Sequence, residues 1–146
     1  PYIDIWWSSG AQSAQLMKDG EVEMSTIWNG RMDAAIADGA MGNYTFNGGI
    51  ASLDCLAIPM GSENVDVAMK VLAALVSADL QANIPFHINY GPTNSGAFAL
   101  GKITDEMAAS SPSAPENLKN QVIVRAEWWA ENGESVQERW DAWHIQ

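Results

Sequence analysis

An α/β fold is predicted for this chain from three observations. Short runs of alternating apolar and polar side chains take turns along the sequence with stretches of helical apolar spacing. Most helical stretches carry a capping residue at the start or a glycine at the stop. With 146 residues and 47% hydrophobic content, the chain is able to bury one sizeable core.

The elements follow in order. Residues 2–7 alternate and run into the Ser8-Ser9-Gly10 turn, as a strand does. Ser9 or Ser8 then caps a helix over 11–19 that turns Leu16 and Met17 inward and stops at Gly20. Val22, Met24 and Thr26 alternate with Glu21, Glu23 and Ser25, which predicts a second strand ending at Ile27-Trp28, with Asn29-Gly30 as its turn. Met32, Ala35 and Ile36 stand at helical spacing within 31–38, and Gly39 marks the stop. A further strand is expected over 43–46, a sharp bend at Gly48-Gly49, and a strongly apolar strand over 52–58 closed by Pro59. Asp54 interrupts that strand, so it either faces solvent on a half-buried strand or serves a site.

Asn64 is expected to cap the longest helix, 65–77, whose Val67, Val71, Leu72 and Leu75 form an inward stripe; it reads as the core helix. Residues 79–84 add a turn or two of helix halted by Pro85, and 90–94 form a loop. Asn94 or Ser95 caps a short helix to Leu100, and Thr104 caps another through 109. The Ser- and Pro-rich stretch 110–115 reads as a surface connection, 122–124 as a last strand, and 134–144 as a terminal helix carrying Val136, Trp140 and Trp143.

Composition narrows the function classes. Seven Lys and Arg against eighteen Asp and Glu give a net charge of -11, which repels nucleic acid and anionic lipid and favours cationic partners. Cys55 is the single cysteine, which rules out an internal disulfide and a Cys-based zinc site; its apolar neighbours place it in the core. His87 and His144 have no ligand spacing around them, so no metal and no cofactor are expected. The longest apolar run, within 65–76, is too short for a bilayer and is broken by Asp66 and Lys70. The opening Pro1-Tyr2-Ile3-Asp4-Ile5 looks like the inside of a larger protein, with any export signal expected upstream.

Four stretches in fixed order carry a family pattern: Ile27-Trp28-Asn29-Gly30, the run from Gly48 through Asp54 to Pro59, Tyr90-Gly91-Pro92-Thr93-Asn94, and Ala126-Glu127-Trp128-Trp129. Together they resemble the spermidine/putrescine-binding type of periplasmic solute-binding protein of ABC importers. The resemblance implies a type II periplasmic-binding fold, in which two α/β lobes grip a ligand in the cleft between them. It further implies that this chain is a C-terminal fragment holding most of one lobe and part of the other. Residues 1–53 and 101–146 would lie in the second lobe, the latter with the C-terminal helix, and 54–100 would cross to the first. The implied role is extracytoplasmic capture of a small solute for a membrane permease.

The resemblance assigns Asp54 to the ligand's amine and Trp28 and Tyr90 to an aromatic box. An amine needs a carboxylate to pair with, and its methylenes need aromatic faces. Two positions depart from the polyamine binders: Ser52 stands in place of a stacking Trp, and Trp129 in place of a polar side chain. Arg31 would repel a polyamine but offers a two-pronged grip to a carboxylate. The turn at Ser9 adds backbone N–H groups that favour an anion. Arg31 and Asp54 together suit a zwitterion, so an ω-amino acid such as 4-aminobutyrate is expected ahead of putrescine or spermidine.

Two rival classes compete with this reading. An enzyme lacks support, because G-x-S-x-G, H-E-x-x-H and a glycine-rich phosphate loop are all absent from the sequence. An interaction module would use the seven Trp as exposed anchors; in extended structure the adjacent pairs Trp6-Trp7 and Trp128-Trp129 would each turn one ring outward. A fragment with uncovered apolar surface is also expected to dimerise.

Overall fold

A computed structural model describes residues 3–145. Tyr2, part of the first expected strand, lies outside them. Helix α1 (Gly10–Asp19) begins as expected: the Ser9 hydroxyl accepts from the Gln12 backbone N–H at 3.2 Å, and Gly20 ends the helix with φ 67°. That positive φ is reached cheaply only without a Cβ. Helix α2 (Asn29–Ala37) buries Met32 and Ala35, packs on α1, and stops before Gly39.

The sheet is small. Strand β1 (Ile50–Ala51) pairs in parallel with β2 (Val122–Ile123), Ile50 opposite Val122. Gly48 N–H to Asn120 O at 2.9 Å and Val124 N–H to Ala51 O at 3.0 Å extend the ladder at both ends. Parallel pairing needs a long crossover. Here the connection holds α3 (Val65–Leu75), α4 (Ala78–Gln81), 3₁₀ turns at Ile84–Phe86 and Ser95–Leu100, α5 (Asp105–Ser110) and α6 (Pro115–Leu118). The Ser95–Leu100 turn packs on α4, and Ala82, Ala97 and Ile103 form a core that Phe98, Met107 and Ala108 complete. Helix α7 (Ala126–His144) closes the chain. Among the described residues no single helix is long and apolar enough to cross a membrane.

Several expectations are corrected. The described part of 2–7, and 22–28, 43–46 and 52–58, are not strands, because among the described residues only 50–51 and 122–123 pair as neighbouring strands of a sheet. Helix α3 starts where expected but ends at Leu75 and not at 77, the Asn64 side chain makes no capping bond, and it is not a core helix: none of its residues is buried, and Val67 is 59% exposed. Cys55 is exposed rather than in the core. Residues 110–115 are not a surface stretch throughout, since Ser111 and Ala114 are buried. The terminal helix starts at Ala126, eight residues earlier than the spacing suggested, so Trp128 and Trp129 are helical neighbours and not an extended pair.

A candidate ligand-binding site at the start of the second helix

Trp28 occupies the cap position before α2 with extended backbone, φ -69° and ψ 128°. Its ring lies on Gly10, the first residue of α1: a Cβ there would fall 2.6 Å from Trp28 Cζ3. Arg31, three residues on and on the same side of the helix, brings Nε within 3.2 Å of the same point. Ser9, which caps α1, is the neighbour of Gly10. Trp7 meets Trp28 edge-on with ring centroids 6.0 Å apart. Tyr90 sits on the next glycine of the motif, and a Cβ on Gly30 would lie 2.8 Å from its Cε1.

Four of the expected residues, Ser9, Trp28, Arg31 and Tyr90, therefore gather around the first turns of α1 and α2. The two glycines explain how: each leaves the space that an aromatic ring fills. Trp28 remains 55% exposed, so its ring is not buried among the described residues. Arg31 also borders a hollow of about 190 Å³ between α1 and α2, with Gln15, Lys18 and Asp38. Lys18 Nζ lies 3.1 Å from Asp38 Oδ2 there.

The other three stand apart. Asp54 is exposed and lines a second hollow of about 520 Å³, walled by Met69 and Leu72 of α3 and by Val76 just after it, together with Gln81 and Thr93. Trp28, Arg31 and Tyr90 are not among its lining residues. Ser52 is exposed on the extended segment before Asp54. Trp129 lies in the first turns of α7, edge-on to Trp128 at 5.3 Å. Among the described residues no three His, Cys, Asp or Glu side chains are grouped to hold a metal ion.

Sequence reasoning passed over Trp7 and a polar cluster beneath Tyr90. Asn89 donates from Nδ2 to Asp33 Oδ2 at 2.6 Å, and its backbone carbonyl accepts from Asn29 Nδ2. The Tyr44 hydroxyl lies 3.3 Å from the same Nδ2. Burial, then the hydrogen bond and negative charge of Asp33, push the Tyr44 phenol up to about 12, with Asn89 acting in the opposite direction. The available signal was the pair of polar residues Asn29 and Asp33, four apart on one face of α2.

Comparison with known proteins gives a consistent answer. Residues 1–112 match the family model described as bacterial extracellular solute-binding protein. The gamma-aminobutyric acid-binding protein of Pseudomonas aeruginosa is 34% identical over 138 residues, which is 94% of this chain and 39% of that protein. The spermidine/putrescine-binding periplasmic protein of Salmonella typhimurium is 29% identical over 119 residues, 80% of this chain and 33% of that protein. An ABC transporter substrate-binding protein from Bradyrhizobium japonicum superposes with a TM-score of 0.86 at 40% identity, covering 97% of this chain and 44% of the other. The α/β elements above are thus a part of the periplasmic-binding fold, and the chain spans about two fifths of the length of such relatives.

Proposed function

The chain belongs to the bacterial extracellular solute-binding proteins, and from that premise we propose that it is part of the substrate-capturing component of an ABC transporter for a small amine-bearing solute. The ligand class we favour is an ω-amino acid such as 4-aminobutyrate, ahead of putrescine or spermidine. The observation that carries this reading is Arg31 seated beside Trp28 on Gly10, next to the Ser9-capped start of α1. A guanidinium and a helix start suit a carboxylate, while the indole face suits a methylene chain. Tyr90 on Gly30 supplies a second ring at the same turn.

Asp54 is the proposed partner of the amine, with Ser52 and Trp129 at the margins of the site. Arg31 and Asp54 border different hollows, so in this reading closure of the whole protein's cleft brings both charges to one ligand. The proposed lobes divide at 53 and 100, which places Asp54 at the junction where closure acts. The names of the relatives support an amine ligand, and the more identical one is named for a zwitterion. We assign the chain a role in transport and not in catalysis, outside the cytoplasm, with a membrane permease as partner and no nucleic acid.

Calorimetry on the polypeptide in which this chain naturally occurs tests the reading. Binding of 4-aminobutyrate that falls about tenfold to a hundredfold in Arg31→Ala, as loss of a charge-assisted hydrogen bond entails, is the expected result. Tight putrescine binding with no response to 4-aminobutyrate overturns the zwitterion. A second reading, an interaction module, draws on the exposure of Trp6, Trp128, Trp129, Trp140 and Trp143. Quenching of Trp emission by the small amine favours transport; quenching only by a protein partner favours the module.

A further inference from the structure

Asn89 is the point where four stretches of chain meet. Its backbone carbonyl accepts from Asn29 at the start of α2, and its Nδ2 donates to Asp33 one turn later at 2.6 Å. The same Nδ2 donates to the Tyr44 hydroxyl at 3.3 Å, and Oδ1 accepts from Ser110 Oγ, at the end of α5, at 3.4 Å. Both ends of the carboxamide are engaged, so its orientation is fixed. The whole cluster is partly shielded from water, where such bonds hold more strongly than at the surface.

The next residue is Tyr90, whose ring rests on Gly30. Asn29 and Asp33 flank Gly30 and Arg31 on α2, so the group that fixes the loop backbone also fixes it to the helix that carries the candidate ligand residues. We infer that Asn89 is a positioning residue: held by Asn29, Asp33, Tyr44 and Ser110, it seats Tyr90 on Gly30 and so sets the affinity of the site for its solute. The inference rests on the reading of Tyr90 as a ligand-facing ring. An aspartate has nearly the same shape, yet Asn89→Asp would set a second carboxylate against Asp33 where a donor is required, and like charges at that distance repel. Exchanging the two residues, D33N with N89D, restores one donor and one acceptor in reversed order.

The test uses the polypeptide that contains this chain, with two readouts. The first is the ring-current shift that the Tyr90 ring induces in the Gly30 α-protons, assigned by its loss in Tyr90→Leu. The second is calorimetric affinity for 4-aminobutyrate. N89D is expected to lose the Gly30 shift and about tenfold or more in affinity at neutral pH, the size of a lost hydrogen bond to a charged group. The exchanged double variant is expected to recover both. An N89D protein that keeps the Gly30 shift, or a double variant that does not regain it, overturns the inference. If Tyr90→Leu loses the shift but keeps its affinity, the reading of Tyr90 falls and the affinity role of Asn89 falls with it. If Tyr90→Leu binds weakly while N89D binds normally, only the role of Asn89 is refuted. Should N89D fail to fold, Ser110→Ala and Tyr44→Phe each remove one bond from the same carboxamide; a partial loss of the shift in both supports the inference, and no loss in either refutes it.

Discussion

At the scale of single residues, the chemistry gathers where glycines make room. Gly10 and Gly30 have no side chain to compete with Trp28 and Tyr90 for the same volume. Arg31 then lies beside an aromatic ring at a capped helix start. Replacing it by lysine keeps the charge but not the planar fork, so Arg31→Lys is expected to recover only part of the affinity that Arg31→Ala loses. Tyr44 gives a prediction independent of any ligand. Its phenol, pushed up to about 12 by burial and by Asp33, favours the neutral form in the folded chain over an ordinary value of 10.0. The stabilisation it contributes is therefore complete below pH 10 and is lost as pH rises from 10 towards 12. Absorbance titration of tyrosinate should find the Tyr44 phenol ionising late. In Asp33→Asn that late step should move down, because the carboxylate that opposes ionisation is gone.

At the scale of elements, several helix starts were legible and most strands were not. Ser9, Asn94 and Thr104 each accept a backbone N–H at a helix start, and Gly20 takes positive φ at a helix end, as their positions in the sequence suggest; Ser77 and Gly101 do the same at boundaries that the apolar spacing did not mark. Capping is a transaction among residues within four of one another, so local sequence carries it. Ser9→Ala should lower the unfolding free energy by about 1 kcal/mol, measurable by urea titration as a shift in midpoint at constant slope. Strands depend on a partner that sequence spacing does not supply. Residues 52–58 have the composition of a buried strand, yet Leu53 and Leu56 are exposed and the segment pairs with no other described residues. Helix α3 carries an apolar stripe of which Val67, Val71 and Leu75 remain exposed.

At the scale of the whole molecule, the exposed side chains of α3, the apolar segment 52–58 and several Trp leave much apolar surface uncovered. Patches of that extent are rarely left open to water. The isolated 146-residue chain is expected to self-associate, with light scattering reporting a mass above its 15.8 kDa; a clean monomer at micromolar concentration refutes this. The aromatic contacts of α7 tie the two ends of the chain together. Trp6 meets Trp140 and Trp143 edge-on at 4.9 and 5.6 Å, and His144 stacks on Trp140. The place of Trp6 in that cluster was invisible in the sequence, since it lies more than a hundred residues from Trp140, Trp143 and His144.

By itself the sequence determined the α/β class, several of the helix caps, the family pattern and the residue types suited to a zwitterion, because each of these lives in composition or in neighbours a few residues apart. Only the tertiary structure decided which of those residues share a surface. It drew Ser9, Trp28, Arg31 and Tyr90 together, set Asp54 in another hollow, and placed Asn89 beneath the loop. The physical reason is that a side chain's neighbours across a fold are chosen by the volume that other residues leave vacant, and the two glycines at 10 and 30 show that vacancy only when the chain has closed upon them.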